Sequence, residues 1–235
     1  MTSQFERDGY IIFPSPIDAD TVDKLRSEAD RVRAATLVGM RMSRTVDPRV
    51  TWWRLADGSP YLLKIKPILN VAPAAAAVAN GLWLTSRLGE LLGGPPILME
   101  DKFMYKQRLD DDIDWVDLPV LGEEVRKHTD AAYFTQRGYG RVLTVAICLD
   151  ECTADSGALK VWPDSHHRDI QMVPTDNQGP VVPDELAPDS DGVLLEAAVG
   201  SVLIWDSRLV HASDPNTSDR PRRLLVFGFT AGRPS

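Results

Sequence analysis

From Pro96 to Thr230 the chain repeats one pattern, a short apolar run closed by turn residues, and this limits the fold more than any other feature. The runs occupy residues 97–107, 140–149, 158–162, 202–205 and 223–230. Each has strand length, with β-branched and aromatic residues between Gly, Pro, Asp and Ser. Many short strands at such spacing predict a sandwich or barrel, in which alternate residues of each strand face a shared core. The first 95 residues are mixed. Residues 5–13 end in Tyr10-Ile11-Ile12-Phe13, a strand stopped by Pro14. Asp18 or Asp20 then caps a helix whose apolar positions Val22, Leu25, Ala29 and Val32 recur at helical spacing. A second helix is expected from Trp83 to Leu92, ending at Gly93-Gly94. The expected fold is mainly β with flanking helices.

At 235 residues the chain fits one domain spanning 1–235, with a helical elaboration over about 1–95 and a β core over about 96–235. The formal charge of −8 argues against nucleic acid, whose phosphates are met by clustered Lys and Arg. It also argues against a strongly anionic substrate, although a local basic pocket would override the global field. The first residues lack a basic segment followed by an apolar one, and no apolar run approaches bilayer length, so a soluble cytoplasmic protein without membrane contact is expected. Cys148 and Cys152 have no second cysteine pair to complete a metal site and are expected to be reduced. Residues 109–124 form a long acidic loop, the kind of segment that serves as a lid or a solvated excursion.

Four histidines are present, and two begin a His-x-Asp triplet: His128-Thr129-Asp130 and His167-Arg168-Asp169. At a strand end, residues i and i+2 share a face, so such a triplet aims an imidazole and a carboxylate at one point. A histidine from a distant strand would complete a set of two His and one carboxylate. That set leaves adjacent positions open and suits Fe(II) working with a chelating co-substrate and O2. His167 follows the turn signature Pro163-Asp164-Ser165-His166, whereas His128 leads into an extended-looking segment, so the first triplet is preferred. His211, after the apolar run 202–205, fits either a hydrogen-bonded core histidine or the third ligand. In the last strand Arg222, Leu224, Val226 and Gly228 share one face, and Arg223, Leu225, Phe227 and Phe229 the other. If one side is covered, one arginine points inward and demands a carboxylate, because an unpaired buried charge costs several kcal/mol. The distal carboxylate of 2-oxoglutarate would meet that demand.

The order of these pieces resembles the phytanoyl-CoA dioxygenase family. The matching residues are His128-Thr-Asp130, Asp155-Ser156-Gly157-Ala158-Leu159, Pro163-Asp-Ser-His166, and His211 through Asn216, Ser218 and Arg222. The resemblance implies a double-stranded β-helix (a cupin-like jelly roll) with helices packed outside. It implies Fe(II) held by His128, Asp130 and His211. It also implies 2-oxoglutarate bound by Arg222 with Ser213, and O2 as the second co-substrate. The segment before the triplet, Glu100-Asp-Lys102-Phe-Met104-Tyr-Lys106, is expected to line the co-substrate pocket, with Lys102 and Met104 as the candidates beside Lys106. Asp130 stands where related halogenases carry a small residue, so hydroxylation is expected rather than halogenation.

The implied activity is oxidation of an unactivated C–H of a small metabolite, by hydroxylation, ring closure or desaturation. The acidic loop and the lack of a basic cluster favour a neutral or cationic substrate, such as an intermediate of specialised, antibiotic-type biosynthesis, over an acyl-CoA. Residues 38–60, 109–124 and 171–191 are the expected pocket segments, with Trp52, Trp53 and Trp115 able to stack on a ring. Two other classes compete. One is a metal-dependent hydrolase or isomerase of the cupin kind, and the other a non-catalytic jelly-roll binding protein.

Overall fold

The computed structural model describes residues 1–110, 113–121, 124–135, 140–176 and 179–231. After Thr2–Asp8 (α1) and Tyr10–Phe13 (β1), Ala19–Ser43 forms the long helix α2. Asp18 caps α2 by accepting from the Thr21 backbone N–H at 2.9 Å, and Val22, Leu25, Ala29 and Val32 are all buried, as their spacing predicts. Two strands follow, Val50–Arg54 (β2) and Pro60–Ile65 (β3), and then the helices Pro73–Ala79 (α3) and Leu82–Leu92 (α4). Glu28 of α2 accepts from the N–H groups of Ala74 and Ala75 at 2.8 and 3.0 Å, placing a carboxylate on the exposed donors that begin α3. Gly93 ends α4 in the left-handed region, at φ 72°.

The remaining chain is β-rich. It comprises Pro96–Arg108 (β4), Val125–His128 (β5), the short helix Ala131–Thr135 (α5), Val142–Cys148 (β6), Leu159–Val161 (β7), Val193–Leu195 (β8), Val202–Asp206 (β9), His211–Ser213 (β10) and Leu224–Ala231 (β11). These strands build two antiparallel sheets, one ordered β1-β9-β6-β11-β4-β3-β2 and the other β5-β10-β7-β8. This is the jelly-roll architecture, mainly β with helices outside. The expected helical character of residues 1–95 needs one correction. β2 and β3 lengthen the large sheet beyond β4, β3 pairing with β4 and β2 with β3, while β1, the strand expected at Tyr10–Phe13, pairs with β9 at the other end.

Strand periodicity sorts the side chains into two interiors. Leu143, Val145 and Ile147 of β6 and Leu225, Phe227 and Phe229 of β11 pack against α2, α3 and α4. Ala146 and Cys148 of β6, with Leu224 and Val226 of β11, face the other way and meet Val161 and Leu195 of the small sheet. The large sheet is therefore covered on both faces, which explains why β6 is buried at every position.

Double coverage also changes the reading of the two arginines, because both Arg222 and Arg223 are buried. Arg223 points to the helix side. There its Nε and Nη2 donate to Asp150 at 2.8 and 2.9 Å, and its Nη1 donates to Asp30 of α2 at 2.8 Å. The Asp150 carboxylate, with Asp30 assisting, raises the Arg223 pKa further against the opposing effect of burial. Asp150→Ala strips this buried cation of its bidentate partner. A loss of about 3 kcal/mol is expected in chemical denaturation, whereas Asp30→Ala, at an exposed carboxylate, costs far less.

Candidate metal centre and co-substrate pocket

His128 closes β5 and His211 opens β10, and the two stand directly opposite each other in the β5–β10 pairing, their ring centroids 4.3 Å apart. Asp130 follows β5 by two residues, where the Ala131 backbone N–H donates to the Ser207 carbonyl at 2.8 Å and fixes the turn. One donor atom from each of His128, Asp130 and His211 lies within 4.8 Å of the others.

Both imidazoles are oriented by backbone. His128 Nδ1 sits 2.8 Å from the Arg126 carbonyl and His211 Nδ1 sits 3.0 Å from the Leu209 carbonyl. A carbonyl only accepts, so each Nδ1 carries the proton and each Nε2 presents its lone pair. Both Nε2 atoms face Asp130, at 3.7 Å from Oδ1 and Oδ2 respectively. Asp130 Oδ2 also accepts from Thr144 Oγ1 of β6 at 2.8 Å, so the large sheet positions the carboxylate and the small sheet the two rings. Burial and the neighbouring His128 push the His211 pKa down to about 4, which keeps the imidazole neutral near pH 7. Burial opposes ionisation of Asp130, but His211 and His128 outweigh it and hold the carboxyl well below the usual range. A neutral His211 imidazole and an ionised Asp130 carboxylate, with the His128 ring turned to the same point, form the donor set a divalent cation requires.

These three residues open onto a cavity of about 450 Å3 that Arg222, Ser213, Lys102 and Met104 also line. Arg222 is 2% exposed, its Nε has no hydrogen-bond partner, and no carboxylate lies within ion-pair reach among the described residues. Its recorded neighbour is the Cys152 thiol, which the contact with Cys148 and the guanidinium draw down against the effect of burial. The contrast with Arg223 is direct: one buried arginine is neutralised by the fold, and the other faces the cavity without an anion. Lys106 parts from Lys102 and Met104. A left-handed φ of 46° turns it out of the strand alternation, and its ammonium donates to the Ser213 and Asp214 carbonyls, leaving it off the cavity wall. Gly157, in the Asp-Ser-Gly-Ala-Leu segment, lies beside the Asp214 and Pro215 carbonyls at φ 74°. A Cβ there would come within 2.2 Å of the Asp214 oxygen.

A family model described as phytanoyl-CoA dioxygenase (PhyH) matches residues 5–224. The chain belongs to the phytanoyl-CoA dioxygenase family. Among curated relatives of this family member is a probable alpha-ketoglutarate-dependent hypophosphite dioxygenase of Stutzerimonas stutzeri. It is 31% identical over 125 residues, covering 48% of the chain and 42% of the relative. L-proline trans-4-hydroxylase of Streptomyces griseoviridis is 24% identical, with 96% of the chain and 84% of the relative covered. The matched stretches span less than half the length of the first curated relatives. In fold the chain is similar to EvdO2 from Micromonospora carbonacea var. aurantiaca, solved with 2-oxoglutarate. The TM-score is 0.72 at 20% identity, covering 98% of the chain and 89% of that structure.

For this phytanoyl-CoA dioxygenase family member, several sequence-level expectations have a definite place in the structure. His166 and His167 lie away from the cavity lining, each with Nε2 against the Glu6 carbonyl, and His167, Arg168 and Asp169 are all exposed, so the second triplet is a solvated turn. Cys148 and Cys152 are both buried free thiols, with sulfurs 3.5 Å apart. Of the tryptophans named above, Trp53 lines the cavity, whereas Trp52 and Trp115 pack against each other in the helix-side core. The acidic loop contributes Leu121 to the cavity but buries Ile113 and Leu118, while residues 111, 112, 122 and 123 lie outside the described residues. Residues 179–181 reach the cavity from the 171–191 segment. No helix among the described residues is long and apolar enough to cross a membrane. Sequence reasoning missed Thr144, Lys64 and Lys66. The lysines had a signal, two cations at strand spacing within Tyr61-Leu-Leu-Lys-Ile-Lys66, an otherwise apolar run.

Proposed function

We propose that the chain is an Fe(II)- and 2-oxoglutarate-dependent oxygenase that oxidises a C–H bond of a small metabolite, hydroxylation being the default outcome. The observation that carries the reading is the convergence of two Nε2 lone pairs and one ionised carboxylate on a single point, inside a cavity that also holds an unpaired arginine. His128, Asp130 and His211 would hold the iron on one side and leave the cavity side open. Arg222, assisted by Ser213, would bind the distal carboxylate of 2-oxoglutarate, because the planar guanidinium matches a carboxylate and has none within the fold. With 2-oxoglutarate and O2, the metal supplies an oxidant strong enough to attack an unactivated C–H. The protein supplies orientation and dryness. Trp205 packs beside His211 with ring centroids 5.5 Å apart, and Leu159, Leu224 and Val226 give the cavity apolar walls.

The direct test is anaerobic titration of the folded protein with Fe(II) and 2-oxoglutarate. A weak visible metal-to-ligand charge-transfer band is expected at one iron per chain. Its absence, with the protein folded, overturns the reading in favour of a cupin-type hydrolase or isomerase or a silent binding module. Thr144→Val removes the hydroxyl that holds Asp130 while keeping the strand's shape. It is expected to weaken Fe(II) binding by about 10- to 100-fold in the same titration without loss of secondary structure.

A further inference from the structure

Asp206 ends β9 with its side chain fully buried. A carboxylate out of water is tolerated only where cations and N–H donors surround it. Its Oδ1 accepts from the Arg208 backbone N–H at 2.9 Å, which closes a turn around Ser207. Oδ1 also accepts from Arg208 Nε at 3.0 Å, while Oδ2 accepts from Arg141 Nε at 3.0 Å and from Arg208 Nη2 at 3.1 Å. Burial opposes ionisation, but Arg208 and Arg141 outweigh it and hold the carboxyl below its ordinary range. Backbone bonds complete the turn. The Asp206 N–H donates to the Gly9 carbonyl, the Ser207 N–H to the Val142 carbonyl, and the Leu209 N–H to the Asp206 carbonyl at 2.8 Å.

Two carbonyls of this turn meet the metal site. That of Ser207 accepts from the N–H of Ala131, the residue after Asp130, and that of Leu209 holds His211 Nδ1 at 3.0 Å. One turn thus steers two of the three ligand arms. His128 takes its orientation from the Arg126 carbonyl instead, and Arg222 stands just before β11, outside the turn. Leu209 is buried in the core beneath the small sheet, but apolar burial has no direction. Which way the Ser207 and Leu209 carbonyls face is set by hydrogen bonds, and the Asp206 carboxylate supplies the one that closes the turn.

We infer that Asp206 is a positioning residue for the metal centre, fixing the peptides of Ser207 and Leu209 and, through them, the backbone beside Asp130 and the ring of His211. Asp206 does not line the cavity and acts only through these peptides. That the positioned ligands hold iron rests on the oxygenase reading, whereas the orientation of the His211 ring does not. The carboxylate has two separable parts in this. Its charge neutralises Arg141 and Arg208, and its Oδ1 caps the Arg208 N–H. Asparagine keeps the cap and loses the charge, because an amide oxygen closes the same turn, and alanine loses both.

The test compares Asp206→Ala with Asp206→Asn in the full chain by two readouts. The first is the slowly exchanging Nδ1–H resonance of His211 in metal-free protein carrying isotope-labelled histidine, assigned by its loss in His211→Ala. The second is anaerobic calorimetric titration with Fe(II) alone. Both substitutions remove the buried ion pairs, so both are expected to lower the melting temperature. Only Asp206→Ala is expected to lose the His211 proton signal and to weaken Fe(II) binding by about tenfold or more, Asp206→Asn staying within about threefold of wild type. A purely structural role predicts otherwise, with metal affinity following the melting temperature in both variants, and that result overturns the inference. So does an Asp206→Ala protein that keeps the wild-type signal and affinity. If Asp206→Ala does not fold, Asp206→Asn decides: a lowered melting temperature with signal and affinity retained supports the assignment, and loss of either overturns it. If the wild-type protein binds no Fe(II), the oxygenase reading fails separately. The proton signal then decides alone, and any pattern other than loss in Asp206→Ala with retention in Asp206→Asn overturns the positioning role.

Discussion

His211→Ala protein is expected to fold but to bind no stoichiometric Fe(II), and to lose 2-oxoglutarate turnover by at least a thousandfold, on the order of 4 kcal/mol of barrier. The size of the effect follows from where His211 stands. It opens the small sheet's β10, faces His128 across the strand pair and presents Nε2 to Asp130 because its Nδ1 proton is tied to the Leu209 carbonyl. No other histidine among the described residues replaces it, since His166 and His167 are engaged with Glu6. The imidazole is neutral near pH 7 and its Nδ1 bonds only the Leu209 carbonyl, so its removal leaves the metal-free fold largely intact. Metal content by inductively coupled plasma analysis, with circular dichroism as the folding control, separates loss of iron from loss of structure. Full iron occupancy in the His211→Ala protein would refute the ligand assignment.

Arg222→Met leaves iron binding intact and weakens 2-oxoglutarate binding by roughly 2–5 kcal/mol, a factor of about 30 to several thousand, because truncating one partner of a buried charge pair exposes the other to its full desolvation cost. The readout is the 2-oxoglutarate concentration at half-maximal charge-transfer absorbance. A second, opposite effect accompanies it. Arg222 is a buried cation without a carboxylate, so its replacement by an apolar side chain of similar length stabilises the metal-free protein. Asp150→Ala goes the other way, since Arg223 relies on that carboxylate within the fold. Two adjacent arginines thus respond with opposite signs, and melting temperatures of the metal-free variants show it. Unchanged 2-oxoglutarate affinity in Arg222→Met would remove Arg222 from the co-substrate site.

Much of this site was legible before any coordinates. His128 and Asp130 are two residues apart at a strand end, and that local geometry survives in any sheet that accepts the segment. The alternation in β11 separated Arg222 from Arg223, and the pattern of apolar runs predicted a β-rich core. The strands β2 and β3 were not legible, because Val50–Arg54 and Pro60–Ile65 carry charges and aromatic residues whose burial depends on β4 lying beside them. Lys106 shows the opposite failure. Strand periodicity placed it with Lys102 and Met104, but a left-handed backbone at one residue turned it toward the Ser213 and Asp214 carbonyls.

Local order along the chain was enough to name the chemistry: which atoms are lone-pair donors, which strand ends carry them, and which strand holds the arginines. Those properties follow from residue type and spacing over a few positions, and folding does not alter them. The character of the cavity arose only when distant strands met. Lys64 and Lys102 are neighbours through hydrogen bonding between β3 and β4, and Glu100 has too few oxygens to neutralise the three lysines around it. Net charge averages over the whole surface, whereas a binding site responds to the few charges within a Debye length of it. That difference in range is why composition did not reveal the lysines gathered on the cavity wall.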